Sequence, residues 1–272
     1  MASTSSAADR PVVLVTGGAR RIGRTIGLEL ARQGWDLGLH FRGSAAEAET
    51  TAGEARALGA RVWLLQADLG DEAACIGLVP GLLAQAGRLD AVVNNASLFE
   101  HDDVASFGHA AMDRHWRANT AAPILLARAL HAAVSAPGHP TGRGCVVNLL
   151  DQKLWNPNPD HLSYTLSKVA LEGATRMLAQ ALAPRLRVCG VAPGLTLLSG
   201  DMDDDEFERA HRLTPLGRGS TPDDVARAVR FLLESPAITG TTLLVDGGQH
   251  LQAQGRDVMF LVRDDKTPPC PT

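Results

Sequence analysis

Short runs of β-branched and apolar residues recur along the chain, each separated from the next by a segment long enough for a helix. Buried strands that alternate with helices are typical of a parallel sheet covered on both faces. The pattern predicts one α/β domain, a doubly wound Rossmann-type fold of about seven parallel strands. The predicted strands are residues 12–15, 36–40, 62–66, 91–94, 146–150, 187–191 and 242–245, and the main predicted helices are residues 24–33, 47–58, 72–86, 111–135 and 163–183.

Length and charge limit what kind of protein this is. A chain of 272 residues suits one Rossmann-type domain over residues 11–250, preceded by a disordered leader (1–10) and followed by a tail (251–272). The apolar patch 258–262 of the tail is expected to pack either on a neighbouring subunit or on its own domain. A net charge of −4 without a basic block argues against a nucleic-acid partner.

The sequence also bears on membrane association, secretion and cysteine chemistry. No apolar run approaches the ~20 residues of a membrane span, and the N-terminus lacks the apolar segment of a secretory signal. The four cysteines are scattered without a C-x-x-C pair, which indicates a reducing compartment with neither a metal site nor a disulfide framework. The sequence therefore predicts a cytoplasmic protein.

The first predicted strand runs directly into a glycine-rich turn. Gly17 permits a tight turn, and Gly23 allows the backbone of the following helix to come close. A strand, such a turn and then a helix form a site for a pyrophosphate, because the helix N-terminus offers free N–H groups. Arg21 replaces the usual middle glycine. We interpret Arg21 as a phosphate contact, the alternative being a surface salt bridge.

The residues after the second predicted strand favour one of the two nicotinamide cofactors. An NAD site usually has an acid about 20 residues beyond the glycines, which binds the ribose 2′-hydroxyl. Residues 40–44 contain no acid, whereas Arg42, with Ser44 and His40, offers hydrogen-bond donors to a 2′-phosphate. Together with Arg21, this segment predicts NADPH as the cofactor.

A tyrosine and a lysine lie one helical turn apart in the predicted helix 163–183. Because residues i and i+4 share a helix face, the ammonium group of Lys168 is expected near the phenol of Tyr164. A nearby cation lowers the pKa of a tyrosine from its usual value of about 10. Asp151 follows the carboxyl end of the fifth predicted strand. These side chains predict a proton-transfer site, although a Tyr-x-x-x-Lys pair also occurs on solvated helices.

Over residues 11–248 the chain resembles the short-chain dehydrogenase/reductase family. The motifs that carry this resemblance are Thr16-Gly17-x-x-x-Arg21-x-Gly23, Asp68, Asn94-Asn95-Ala96, Asn119, Tyr164-x-x-x-Lys168, Pro193-Gly194 and Asp246-Gly247-Gly248. Asp151 stands where the family has a serine, and Arg21 stands where it has a glycine. Both departures, and the segment Asn-Ala-Ser-x-Phe at residues 95–99, are similar to the pteridine reductase subgroup. Arg42 and Gly43 depart from the subgroup, which has His then Arg there.

The resemblance implies an NADPH-dependent reductase that transfers a hydride to a pteridine, a dihydropterin or a dihydrofolate-like molecule, and that forms a homotetramer. Tyr164 would donate the proton and contact both the cofactor and the substrate. Lys168 would lower the pKa of Tyr164 and bind the nicotinamide ribose, and Asp151 would hydrogen-bond Tyr164 or the substrate's amino group and help relay the proton. Asn119 would hold a water in the proton path. The other residues implied to bind the cofactor are Gly17, Arg21, Ile22, Gly23, His40, Arg42, Ser44, Asp68, Leu69, Asn95, Ala96, Ser97, Pro193 and Gly194, and those implied to bind the substrate are Ser97, Phe99 and Leu195.

Several of these residues have a plainer interpretation. Phe99 is implied to stack on the pterin, but a single phenylalanine can also fill a core. Asp68 is as well placed to cap a helix as to meet an adenine, and Asn119 can be an ordinary buried asparagine. Trp155 either borders the substrate or fills a loop. The turn at residues 246–248 is implied to lie at a tetramer interface.

Two other functions compete with the pteridine reductase. A carbonyl reductase or alcohol dehydrogenase of the same family, such as a 3-oxoacyl reductase, would use the same Tyr164 and Lys168. A non-catalytic NADPH-sensing protein would tend to lose that pair, which this chain keeps.

Overall fold

The computed structural model describes residues 10–198 and 202–264, so nearly all of the predicted leader lies outside the described residues. Seven strands form one sheet, and every neighbouring pair is parallel. The prediction of a doubly wound Rossmann-type α/β domain is confirmed. The strands are β1 Val12–Val15, β2 Asp36–Phe41, β3 Val62–Gln66, β4 Ala91–Asn94, β5 Gly144–Leu149, β6 Leu186–Pro193 and β7 Thr242–Val245.

Three strands are longer than predicted because pairing continues past the predicted ends. β2 extends to Phe41, which lies opposite Gln66 of β3. β5 begins at Gly144, which lies opposite Leu186 of β6, and β6 ends at Pro193, which lies opposite Val245 of β7. The helices within the described residues are α1 Arg21–Arg32, α2 Ala45–Ala57, α3 Glu72–Ala86, α4 His109–His115, α5 Ala122–Ser135, α6 Leu162–Ala181, α7 Asp204–Arg212, α8 Pro222–Glu234 and α9 Val258–Asp264.

The helices cover the sheet on both faces, and β1 shows how the core is divided. Successive side chains of a strand point to opposite faces. Val13 and Val15 lie in one core with residues of α1, α2 and α8, whereas Val12 and Leu14 lie in the other with residues of α3, α5 and α6. Full burial of each such side chain contributes about 1.5–3 kcal/mol. The two cores therefore hold the strand ends at fixed positions.

The strand order β3-β2-β1-β4-β5-β6-β7 reverses direction between β1 and β4. At such a point a crevice opens beyond the carboxyl ends of the strands, and ligands bind there in open α/β sheets. Hydrogen bonds hold the two ends together here. The Thr16 amide donates to the Val93 carbonyl at 3.0 Å, and the Asn95 amide donates to the Thr16 hydroxyl at 3.0 Å.

The predicted helix 111–135 is one helix with a wide turn in it. Between α4 and α5, residues Trp116–Ala121 adopt a π-helical turn. Such turns insert a residue into a helix and are frequent at functional sites. Asn119 lies within this turn and is buried.

The described part of the tail packs on its own domain. Val258, Met259 and Val262 of α9 form a cluster with Met202 and with Ala210 of α7. The described residues of the apolar patch 258–262 therefore pack on the same chain, which is one of the two alternatives. Nowhere in residues 10–198 and 202–264 is a helix both long and apolar enough to cross a membrane.

Asp102 caps helix α6 from a distant loop. His161 precedes the helix with φ of 55° and offers no side-chain cap. Instead, the Asp102 carboxylate accepts a hydrogen bond from the Ser163 amide at 2.9 Å and another from the Ser163 hydroxyl. Asp102 is 5% exposed, so this loop fixes the end of the helix that carries Tyr164.

We expect Asp102→Ala to lower the free energy of unfolding by about 1–3 kcal/mol, because it leaves the buried Ser163 amide without a partner. Urea denaturation of parent and variant measures the difference. Asp103→Ala is the matched control, since its bonds to Ser106 are exposed and water can replace them. Equal losses of unfolding free energy in the two variants would show that the buried hydrogen bonds of Asp102 contribute no more than the exposed ones of Asp103.

Candidate active site

A cavity of about 300 Å³ opens at the carboxyl edge of the sheet, beyond the ends of β1, β4, β5 and β6. Four stretches of chain meet there: the glycine-rich turn, the segment after β4, the segment after β5 and the segment after β6. The residues of these stretches that line it include Arg21, Ile22, Asn95, Ser97, Phe99, Asp151, Tyr164, Lys168, Pro193, Gly194 and Leu195. The structure thus brings these candidate residues together around one cavity.

The acid and the phenol are directly bonded. The Tyr164 hydroxyl donates to Asp151 Oδ2 at 2.8 Å, while the other carboxylate oxygen, Oδ1, accepts from the Lys153 amide at 2.8 Å. Only 6% of Tyr164 is exposed. The expected contact between Asp151 and Tyr164 is therefore present.

Lys168 lies on the same helix face as Tyr164, as the spacing predicted. Its ammonium nitrogen is 5.8 Å from the centroid of the phenol ring, and it donates to the Leu149 carbonyl at 2.7 Å. The side chain is almost fully buried. Burial lowers the pKa of Lys168 to about 8, against the opposing charge of Asp151.

The low pKa expected for Tyr164 is not found in the cofactor-free protein. The pKa of Tyr164 is raised well above its ordinary value, mainly because the phenol is buried. The negative charge of Asp151 disfavours a second one beside it, and the hydrogen bond that Asp151 accepts stabilises the protonated phenol. Burial likewise raises the pKa of Asp151. Burial therefore shifts both the phenol and the carboxyl group towards their protonated forms.

Phe99 belongs to the cavity wall, so the core-filling interpretation is wrong. It is 45% exposed. One face of its ring stacks on His161, with centroids 4.2 Å apart and planes 21° apart, and its ring meets Tyr164 edge-on at 4.6 Å. A flat aromatic surface next to the Tyr164 phenol is what a planar ligand ring requires.

Asn119 contacts the segment after β4. Its amide nitrogen donates to the Leu98 carbonyl at 2.9 Å and to the Ser167 hydroxyl at 3.0 Å, and its oxygen accepts from the Leu98 amide at 2.7 Å and the Ser97 hydroxyl at 3.3 Å. These bonds occupy the side-chain amide of Asn119 and tie the Ser97–Leu98 backbone to helix α6. A part for Asn119 in holding a water stays a prediction.

The glycine-rich turn has the shape of a pyrophosphate cradle. Gly17 has φ of 62°, which favours glycine. A Cβ on Gly23 would lie 2.1 Å from the Gly17 carbonyl oxygen, so no larger residue fits there. Helix α1 begins at Arg21 without a side-chain cap, which leaves the amides of its first turn available to an anion.

Arg21 lies at the mouth of the cavity with φ of 52°. Its guanidinium donates to the Leu198 carbonyl at 2.8 Å, which links the glycine-rich turn to the segment after β6. Within residues 10–198 and 202–264, it forms no ion pair with a carboxylate. The described residues therefore do not contain the surface salt bridge that was the alternative for Arg21.

His40 does not have the predicted place among the phosphate donors. Its ring is 2% exposed; Nδ1 accepts from the Gly17 amide at 3.1 Å, and Nε2 lies 3.1 Å from the Ala67 carbonyl. Both nitrogens are used to support the glycine-rich turn, so His40 has no donor for a phosphate. Arg42 is exposed beyond the end of β2, and Ser44 precedes helix α2 without capping it.

Asp68 is not a helix cap. Helix α3 is capped by Asp71, whose side chain accepts from the Ala74 amide at 2.8 Å. The exposed Asp68 carboxylate accepts from the Gly70 amide at 2.8 Å, which turns the chain at the edge of the crevice. Leu69 beside it is buried.

The segment after β6 is fixed by the turn that follows β7. The Gly194 amide donates to the Val245 carbonyl at 3.0 Å, and the Leu195 amide donates to Gln249 Oε1 at 3.1 Å. Asp246 accepts from the Gly248 and His250 amides. Residues 246–248 therefore form the expected turn, while their place at a subunit interface stays a prediction.

Sequence reasoning missed the contribution of the C-terminal tail. Gln254, Asp257 and Met259 line the cavity, as does Lys153, which follows Asp151 by two residues. Their separation along the chain leaves no local pattern to detect. Trp155, considered as a substrate neighbour, is not among the lining residues.

The chain is similar to several reductases over nearly its whole length. A family model described as enoyl-(acyl carrier protein) reductase matches residues 17–250. The crystal structure of FolM alternative dihydrofolate reductase 1 from Brucella canis, complexed with NADP, is 40% identical and superposes with a TM-score of 0.83 over 92% of this chain and 98% of that one. Pteridine reductase 1 of Leishmania tarentolae is 34% identical over 89% of this chain and 96% of its own. The 3-oxoacyl-(acyl-carrier-protein) reductase FabG of Staphylococcus aureus is 29% identical over 88% of this chain and 97% of its own.

Tyr164 is the chain's only tyrosine, so tyrosinate absorbance reports this residue alone. In the cofactor-free protein, we expect it to ionise well above pH ~10, because burial and Asp151 both disfavour the phenolate. Asp151→Asn should lower the pKa of Tyr164, since the charge is lost. An alkaline spectrophotometric titration measures both values.

Asp223→Asn, the same charge change at an exposed and distant position, should leave the pKa of Tyr164 where it is in the parent. A parent tyrosine that titrates at its ordinary value, or equal shifts in the two variants, would contradict the electrostatic account of the cavity.

Proposed function

The chain belongs to the short-chain dehydrogenase/reductase family, and from that premise we propose that it is an NADPH-dependent pteridine reductase. The observation that carries the proposal is the 2.8 Å hydrogen bond between Tyr164 and Asp151, a carboxyl group where the family has a serine. This pair adjoins the exposed ring of Phe99 in one cavity. The substrate we infer is a dihydropterin or a dihydrofolate-like molecule.

NADP(H) is the cofactor that the crevice fits. The uncapped first turn of α1 and the Gly17–Gly23 cradle suit the pyrophosphate, and exposed Arg42 with Ser44 suits the 2′-phosphate. Asp68 lies where an adenosine would reach. Lys168 is placed to bind the nicotinamide ribose through its ammonium group. Bound there, NADPH supplies the hydride.

Tyr164 supplies the proton to the substrate's ring nitrogen. It holds that proton firmly, because burial and Asp151 raise its pKa. As the phenol gives up its proton, the buried Lys168 ammonium 5.8 Å from the ring stabilises the negative charge. The Asp151 carboxyl, whose own pKa is raised by burial, then returns a proton to the phenol.

A nitrogen-rich ring suits this pair better than a simple ketone does. A ring such as a pterin presents hydrogen-bond donors and acceptors side by side. A carboxyl group can match both, because it accepts hydrogen bonds when ionised and also donates one when protonated. Phe99 offers a flat apolar face for the same ring. The similarity to pteridine reductase 1 and to FolM, each named for action on a pteridine or a dihydrofolate, supports this inference.

A 3-oxoacyl reductase is the second candidate. The similarity to FabG and the family model described as an acyl carrier protein reductase favour it, and the Tyr164–Lys168 pair serves either reaction. The retained pair also argues against a non-catalytic NADPH sensor. The homotetramer and the cytoplasmic location stay predictions.

Asp151→Ser separates the two candidates. For a pteridine reductase, we expect the substitution to reduce pterin turnover by about 100-fold or more, within the range that loss of one proton-transfer group costs. Activity on a simple ketone should survive or rise, because the serine of the wider family is restored. The measurement is NADPH oxidation with dihydrobiopterin, dihydrofolate and a 3-oxoacyl thioester.

Tyr164→Phe serves as the control, since it should abolish reduction of every substrate while NADPH still binds. A parent enzyme that reduces the thioester and ignores pterins would overturn the pteridine assignment in favour of the acyl substrate.

Arg42→Ala should weaken NADPH binding more than NADH binding. Loss of a charge-assisted hydrogen bond costs roughly 1.5–3 kcal/mol, which corresponds to about one to two decades in Kd. Fluorescence titration with each cofactor measures the ratio. Arg56→Ala removes an exposed arginine at the other end of helix α2 and should change neither Kd. Equal loss of both cofactors in Arg42→Ala would place the 2′-phosphate elsewhere.

A further inference from the structure

An ion pair between a buried lysine and a partly exposed aspartate joins the C-terminal tail to the segment that carries Asp151. Lys153 is 3% exposed and lies in the short turn Gln152–Leu154 directly after the acid. Its ammonium nitrogen is 3.3 Å from Asp257 Oδ2 and also donates to the Asp160 carbonyl. Both members of the pair line the cavity.

Lys153 connects two parts of the site through two different groups. Its backbone amide donates to Asp151 Oδ1 at 2.8 Å, while its side chain reaches the tail. The tail is fastened to the same loop a second time, since the Asp257 amide donates to Asp160 Oδ2 at 2.7 Å and Arg256 Nε donates to that oxygen at 2.9 Å. The turn that holds one oxygen of Asp151 is thereby held in place by Asp257.

We propose that Lys153 and Asp257 are a positioning pair for Asp151, so that the tail segment 252–260 takes part in the proton relay. This inference rests on the proposed function for the chemical role of Asp151. It adds a residue from the far end of the chain to a site otherwise built from strand ends and helix α6.

The charges of Lys153 and Asp257 also shift the pKa of Asp151, and the two shifts have opposite signs. The ionisable groups that face Asp151 are Tyr164 and Lys168 from helix α6, Lys153 from its own turn and Asp257 from the tail. Burial is the main reason that the pKa of Asp151 is raised; Asp257 adds to the rise and Lys153 opposes it. Loss of either partner should therefore shift the pKa of Asp151 in a predictable direction.

Asp257→Asn keeps an oxygen for the Lys153 ammonium but removes the negative charge. The pKa of Asp151 should fall by about half a pH unit or more, less than the one to three units of a directly adjacent charge. Lys153→Met removes the positive charge, and the pKa of Asp151 should rise. In the double variant Lys153→Met/Asp257→Asn, the two charge effects should largely cancel.

The first readout is the pH dependence of kcat. Because the relay needs the protonated carboxyl group, activity is lost as pH rises through the pKa of Asp151. The alkaline limb should move to lower pH in Asp257→Asn and to higher pH in Lys153→Met. Arg256→Gln is the matched control: it loosens the same tail from Asp160 and should leave the limb in place.

The second readout needs no substrate. Carbon NMR of protein labelled at the aspartate carboxyl carbons, with the Asp151 resonance assigned through Asp151→Asn, follows the same titration in the cofactor-free protein. If the chain reduces no pterin, the proposed function fails while this titration still decides the role of the pair.

Shifts of opposite sign in the two single variants would establish the positioning pair. The proposal would be overturned by an unchanged Asp151 titration in Asp257→Asn, or by shifts of the same sign in Asp257→Asn and Arg256→Gln. Either result would show that the tail only covers the cavity. Should Lys153→Met not fold, the comparison of Asp257→Asn with Arg256→Gln is sufficient.

Discussion

The hydrogen bonds between the carboxyl ends of β1 and β4 are the constraint on which the rest of the site depends. The Thr16 hydroxyl accepts from the Asn95 and Ala96 amides, and the Asn95 side chain donates to the Thr16 and Gly17 carbonyls. These bonds place the glycine-rich turn beside the segment that leads to Phe99. If the two strand ends separated, the dinucleotide crevice and the aromatic wall would no longer belong to one cavity.

Burial of the ionisable groups determines the electrostatics of the cavity. Burial pushes Tyr164 and Asp151 towards their protonated forms and pushes Lys168 towards its neutral form, so each group is drawn to the state without charge. Burial and the charge of Asp151 outweigh the low pKa that the spacing of Tyr164 and Lys168 led us to expect.

Features set by local pattern were predictable from the sequence, and those set by distant contacts were not. Buried β-branched runs located all seven strands, and the glycine spacing located the turn at Gly17. The roles of His40 and Asn119 escaped because each depends on partners more than twenty residues away. The π-helical turn at Trp116–Ala121 has the composition of an ordinary helix. Asp257 meets Lys153 across a separation of 104 residues, which no periodicity records.

The contact between Asp257 and Lys153 has a consequence for the order in which the protein is completed during synthesis. A chain grows from its N-terminus at about 5–20 residues per second, so the segment around Asp257 is made on the order of ten seconds after the turn that it holds. By then the strands β1 to β6 and the glycine-rich turn are already available to fold. A nascent chain can therefore present a dinucleotide crevice before its substrate cavity has its final wall, and proteolytic loss of residues 252–264 would return the enzyme to that earlier stage.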